Sequence, residues 1–152
     1  MTTVDADETR TLAAVLDELI PPRPDGTLPG AGALGVGAHV THMVGQLPEL
    51  GLVVTDGLRA LGALARARGV ASFADLAPAD RQAVLRELDA TAPGFTPTLT
   101  FLGYGGYYAD PRVVTALGLE ARAPFPRGYA VPESDFALLE NVKRRGPRWR
   151  EC

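Results

Sequence analysis

Apolar residues in this chain recur at helical spacing and almost nowhere at the alternating spacing of a strand. Leu12, Val15, Leu16, Leu19 and Ile20 mark one face of a helix, with Asp7 or Thr9 as its cap and Pro21, Pro22 and Pro24 as its stop. Val36, Val40, Met43, Val44 and Leu47 mark a second helix. Leu58, Leu61, Leu64 and Ala65 mark a third, over about 53–68. Gly57 and Gly62 lie inside that third helix; each weakens it by about 1 kcal/mol relative to Ala and points to close packing. Pro78 opens a fourth helix carrying Val84, Leu85 and Leu88. Thr96-Pro97 repeats the cap-then-proline pattern before Leu99 and Leu102, and Asp110-Pro111 repeats it before a short helix that Gly118 stops. Residues 119–133 read as irregular. Ser134 is placed to cap a last helix with Phe136, Leu138, Leu139 and Val142, ended by Gly146-Pro147. The expectation is all-α: a single compact domain, 1–152, of about six or seven helices with Pro/Gly-rich loops. Residues 1–9 and 146–152 are expected as mobile tails.

Length and composition allow that fold. A chain of 152 residues, 46% hydrophobic, can bury a core without disulfides. The net charge of −3 gives no general attraction to nucleic acid. The basic end, Lys143, Arg144, Arg145, Arg148 and Arg150, is read as a solvated tail, with docking to an anionic surface as the alternative. The single cysteine, Cys152, supports neither an internal disulfide nor a thiolate cluster. The acidic start lacks the pattern of an export signal, and no apolar run is long enough to insert into a bilayer. The expected location is cytoplasmic, unless a partner carries the chain elsewhere.

Reactive constellations are few. His39 and His42 lie three apart and can share a helix face, which supplies two metal ligands but no third. A small enzyme or metal-binding protein centred on them is one reading; a half-buried structural His39 is the plainer one. Ser72 and Ser134 are the only serines, and neither stands in G-x-S-x-G. Gly30, Gly32 and Gly35 form G-x-G-x-x-G, but no strand precedes them, so no nucleotide loop is expected. The acid pairs Asp17/Glu18 and Glu87/Asp89 read as solvated helix faces.

The densest feature is aromatic. Phe101, Tyr104, Tyr107 and Tyr108 crowd ahead of Asp110, Phe125 and Tyr129 follow, and Trp149 comes later. Several lie in Gly-rich chain that does not read as regular helix. Core packing suits Phe101 better than Tyr107 or Tyr108. Tyrosine joins a large apolar ring to a polar tip, which suits interfaces. The group Phe101, Tyr104, Tyr107, Tyr108, Asp110, Phe125, Tyr129 and Trp149 is therefore the candidate partner interface. A ligand pocket walled by Phe101, Tyr104 and Phe125 is the alternative.

The order of several segments resembles the gluconate 2-dehydrogenase subunit 3 family. Leu12 to Pro22 resembles its opening helix, Pro29 to Val36 the loop that follows, Leu58 to Phe73 with Leu76-Ala-Pro its middle, and Gly106-Tyr-Tyr-Ala-Asp-Pro its Gly-Phe-Tyr-x-Asp-Pro motif. The resemblance covers roughly residues 10–130. It implies a helical, non-catalytic small subunit that binds and stabilises a large flavin-dependent oxidoreductase acting on sugars or related alcohols. It places FAD in that partner and no cofactor in this chain. After Asp110-Pro111 the family continues with Gly-Gly-Asn, whereas this chain reads Arg-Val-Val-Thr. Many members also begin with a twin-arginine export signal, and this chain begins Met-Thr-Thr-Val-Asp.

Overall fold

The computed structural model describes residues 5–122, 133–146 and 149. It is all-α: the described residues contain eight α-helices, two short 3-10 turns and no strand. Two compact units divide the chain, Met1–Ala121 and Arg122–Cys152. No helix among the described residues is long and apolar enough to cross a membrane.

The first unit is built on three mutually packed helices. These are α1 (Ala6–Leu19), α4 (Pro48–Ala67) and α6 (Phe95–Tyr107). Around them lie α2 (Ala31–Leu34), α3 (Gly37–Gln46), α5 (Pro78–Thr91) and α7 (Pro111–Ala116). Val15 and Leu16 from α1, Leu61 and Ala65 from α4 and Leu99 from α6 are fully buried, joined by Phe73 and Phe95. Each large apolar side chain so buried contributes roughly 1.5–3 kcal/mol relative to exposure.

Most element positions follow the apolar spacing; the ends follow local hydrogen bonds. Helix α1 starts at Ala6 because Asp5, rather than Asp7 or Thr9, makes a capping box with Glu8. The expected 1–9 tail is thus helical from Ala6 onward, with residues 1–4 outside the described set. Helix α4 starts at Pro48, ahead of the expected 53, because proline fits a first helical turn. The Pro/Gly loop contains α2, whose free amides Asp17 receives: Gly32 and Ala33 donate to its Oδ1 over 2.8 and 3.2 Å. Asp17 is therefore a cap across elements and not a solvated charge.

Glu18 and Glu87 are similarly engaged. Glu18 sits beside Arg81 at 3.6 Å and accepts from Gln82. Glu87 pairs with Arg68 at 2.5 Å, whereas Asp89 Oδ1 is buried without a hydrogen-bond partner. The neighbours of Glu18 and Glu87 come from other helices, which spacing within one helix does not reveal.

In the second unit, Phe136–Leu139 forms a 3-10 turn that leads into α8 (Glu140–Lys143). Its cap is Asp135, which accepts from Ala137 N over 2.9 Å, rather than Ser134.

Candidate functional site

Helix α6 is regular through Gly103, Gly105 and Gly106, where the glycine content had argued for irregular chain. Packing explains the glycines. A methyl at Gly106 would come within 2.9 Å of Val36 and 2.8 Å of the His39 ring, so α3 approaches α6 only because residue 106 has no side chain. Gly57 of α4 plays the same part against Phe95: a methyl there would collide with the buried ring. Gly62, by contrast, faces its own helix's Arg66 and marks no helix contact.

One face of α6 is core: Phe95, Leu99, Leu102 and Tyr107. The spacing 97, 101, 104, 108 sets a second row along the opposite side. There Pro97 is exposed, Phe101 is 71% exposed, Tyr104 47% and Tyr108 52%. Tyr108 holds edge-to-face contacts with Tyr104 and Tyr107, at ring-centroid distances of 5.8 and 5.3 Å.

This arrangement departs from the sequence reading at Tyr107. Phe101, named with the interface group although core packing suited it better than its neighbours, is the most exposed aromatic of α6. Tyr107, placed at the interface, is 3% exposed and belongs to the core. Its hydroxyl donates to the Pro29 carbonyl over 3.0 Å, so the polar tip is satisfied inside. Burial, followed by the neighbouring Tyr108, pushes the Tyr107 phenol above its ordinary pKa. The cause of the departure is phase: once the helix runs unbroken to Tyr107, residues 99, 102 and 107 turn inward and 101 turns out.

Asp110 is also structural. It caps α7 by accepting from Arg112 N, and its two oxygens hold the Arg112 guanidinium at 3.0 and 2.8 Å. Arg112 then donates to the Leu34 carbonyl over 3.1 Å, tying α7 to α2. The Arg112 guanidinium and amide hold the Asp110 carboxyl below its ordinary pKa. Asp110 thus serves as a cap and strut within the fold. Phe125 and Tyr129 lie outside the described residues, and Trp149 is exposed in the second unit.

The apolar surface also includes residues the sequence reading passed over. Leu52 and Val53 are exposed on α4, out of phase with Val54, Leu58, Leu61 and Ala65, which face inward. Val53 lies against Gly94 at the start of α6, 3.9 Å from where a Cβ would stand. That phase break was available in the sequence once α4 was allowed to begin before Val53.

The other candidate sites are not assembled. His39 is half-buried under α6 and His42 is exposed; among the described residues no group of three metal-ligating side chains forms. Ser72 is fully buried, shares a 3.2 Å hydrogen bond with Thr11 and caps the turn at Phe73–Asp75. The G-x-G-x-x-G amides already donate to Asp17, whose charge would repel a phosphate. Of the alternative ligand pocket, Phe101 and Tyr104 stand on an exposed face of α6 and Phe125 lies outside the described residues. A crevice of about 250 Å³ lies elsewhere, between the start of α1 and α4, lined by Asp5, Asp7, Glu8, Arg59 and Arg66 among others.

A family model described as gluconate 2-dehydrogenase subunit 3 matches residues 6–120, which takes in α1 to α7. No curated protein and no solved structure matches the chain.

Proposed function

The chain belongs to the gluconate 2-dehydrogenase subunit 3 family, and from that premise we propose that it is a non-catalytic small subunit that binds and stabilises a large flavin-dependent dehydrogenase or oxidase. The family name makes it a subunit of an oxidoreductase complex. The partner's class, its action on sugars or related alcohols and its FAD are our reading. In that reading the flavin belongs wholly to the partner, and this chain contributes surface.

The observation that carries the reading is the exposed row Phe101, Tyr104 and Tyr108. Other aromatics of the first unit, Phe73, Phe95 and Tyr107, are buried almost completely. The fold thus has room to bury rings and leaves three on one helix face. An aromatic side chain buries roughly 150–250 Å² when fully covered. Three that are already half covered supply well under the roughly 800 Å² a standard interface takes from each partner. They serve as the anchor of a contact, with a polar rim around them.

Co-expression with a large flavin-dependent oxidoreductase encoded beside this chain tests the proposal. Co-purification of a yellow complex is expected, and serine at positions 101, 104 and 108 together abolishes it. Retention of the partner by that triple variant would refute the α6 face as the anchor.

A further inference from the structure

Helix α3 meets α6 at the exposed aromatic row itself. Gly105 is exposed, one turn after Phe101 and three residues before Tyr108, so it belongs to that row. A methyl there would stand 3.5 Å from Nε2 of His39. The half-buried His39 ring thus borders the row. His42 and Gln46 follow His39 on the same side of α3 at helical spacing, and both are exposed. Of the residues of α3 only Val40 is fully buried.

The two helices share a second property. No Lys, Arg, Asp or Glu occurs in 26–48 or in 90–109, the stretches that contain α3 and α6. At the usual quarter of residues charged, about ten would be expected there. Helix α5, by contrast, carries Asp80, Arg81, Arg86, Glu87 and Asp89. Burial accounts for part of this in α6, but not in α3, where most residues reach solvent. A helix face left to solvent normally carries charge. The covered centre of an interface loses it, because each charge taken from water there needs a paired partner.

Resting on the subunit reading above, we propose that the large partner's footprint crosses from the α6 row onto α3 along His39, His42 and Gln46, and that the partner surface facing α3 is itself without ionised groups. The row alone supplies too little area for a standard interface. Helix α3 is continuous with it where His39 borders Gly105. The neutral imidazoles and the Gln46 amide offer hydrogen-bond donors and acceptors to uncharged groups of the partner. A charged partner patch at this place would meet no counter-charge from either helix.

The full-length wild type, the α6 triple serine variant and three α3 variants are each co-expressed with the flavin-dependent chain, and the flavin retained per small chain is measured. The α3 variants are His42→Glu with Gln46→Glu, His42→Lys with Gln46→Lys, and the uncharged pair His42→Asn with Gln46→Asn. Both sites are exposed, so thermal melts of all three are expected to match the wild type. Either charged pair is expected to lower the retained flavin about tenfold or more, because an unpaired charge then enters a covered face. The uncharged pair is expected to retain it. Full retention by both charged pairs, with the triple serine variant empty, overturns the α3 footprint and leaves the α6 anchor standing. Loss with one sign and retention with the other overturns the uncharged partner surface, as does equal loss in the uncharged pair. A wild type that retains no flavin overturns the subunit reading and this extension with it.

Discussion

The Tyr107 hydroxyl and the Pro29 carbonyl meet inside the first unit, 3.0 Å apart, across a long stretch of chain. Tyr107→Phe removes that bond and leaves a carbonyl short of its donor, a loss of about 1 kcal/mol. Urea denaturation should show this loss with an unchanged slope, whereas a neutral result would mean the bond contributes nothing. The same contact predicts an alkaline limit. A phenol whose pKa is raised in the folded state favours folding below its ordinary value near 10. That contribution is lost as pH rises through the raised value. Asp110 gives the acid counterpart. Its carboxyl is held low by Arg112, so its contribution is present above the ordinary aspartate value of about 3.9 and disappears as pH falls through the lowered one. The difference in melting temperature between the wild type and Asp110→Asn should therefore narrow below about pH 4. A gap that stays constant with pH would assign the effect to packing. The cap at Asp110 is legible in Asp110-Pro111, whereas the Tyr107 bond is not legible in the tyrosine-rich sequence. The Tyr107 bond depends on Pro29, and the strut that Arg112 extends from Asp110 depends on Leu34, both dozens of residues away.

At the scale of the elements, apolar period located the helices and neighbours placed their ends. Leu12, Val15 and Leu16 predict the buried face of α1, and Val84, Leu85 and Leu88 that of α5; all are buried. Asp110-Pro111 predicts the start of α7. Thr96-Pro97 misplaces the start of α6, which has Gly94 as its cap while the Thr96 hydroxyl is buried without a partner. The glycines of α6 were the harder signal. In isolation they lower helix propensity, and only packing against α3 shows why they stay. The phase of the site depends on those glycines being helical, because a helix broken near Gly105 leaves the directions of Tyr104, Tyr107 and Tyr108 undefined. Gly57→Ala separates propensity from packing. Alanine favours a helix by about 1 kcal/mol. The added methyl meets a fully buried Phe95 ring, and overpacking of a tight core costs about 1–3 kcal/mol. The expected net effect is destabilisation, reduced when Gly57→Ala is combined with Phe95→Leu. A stabilised single variant would show that α4 and α6 can move apart freely.

For the whole molecule, the family and its all-α architecture were legible in the order of segments from the opening helix to the Asp110-Pro111 turn. The surface that distinguishes this chain was legible only in part, since exposure is set by three helices packing together. Phe101, Tyr104 and Tyr108 contribute little to that packing, so polar substitution there should leave stability within about 0.5 kcal/mol per site. Partner binding should respond in the opposite way, because a few aromatic anchors carry most of an interface's energy. The most direct measurement is a paired co-purification with the large flavin-dependent chain, flavin absorbance recorded in the eluate and thermal melts run on both small chains. Stoichiometric flavoprotein is expected with the wild type, none with the Phe101→Ser, Tyr104→Ser, Tyr108→Ser variant, and superimposable melts. Full retention of the flavoprotein by the correctly folded variant, or failure of the wild type to retain it, would contradict the account.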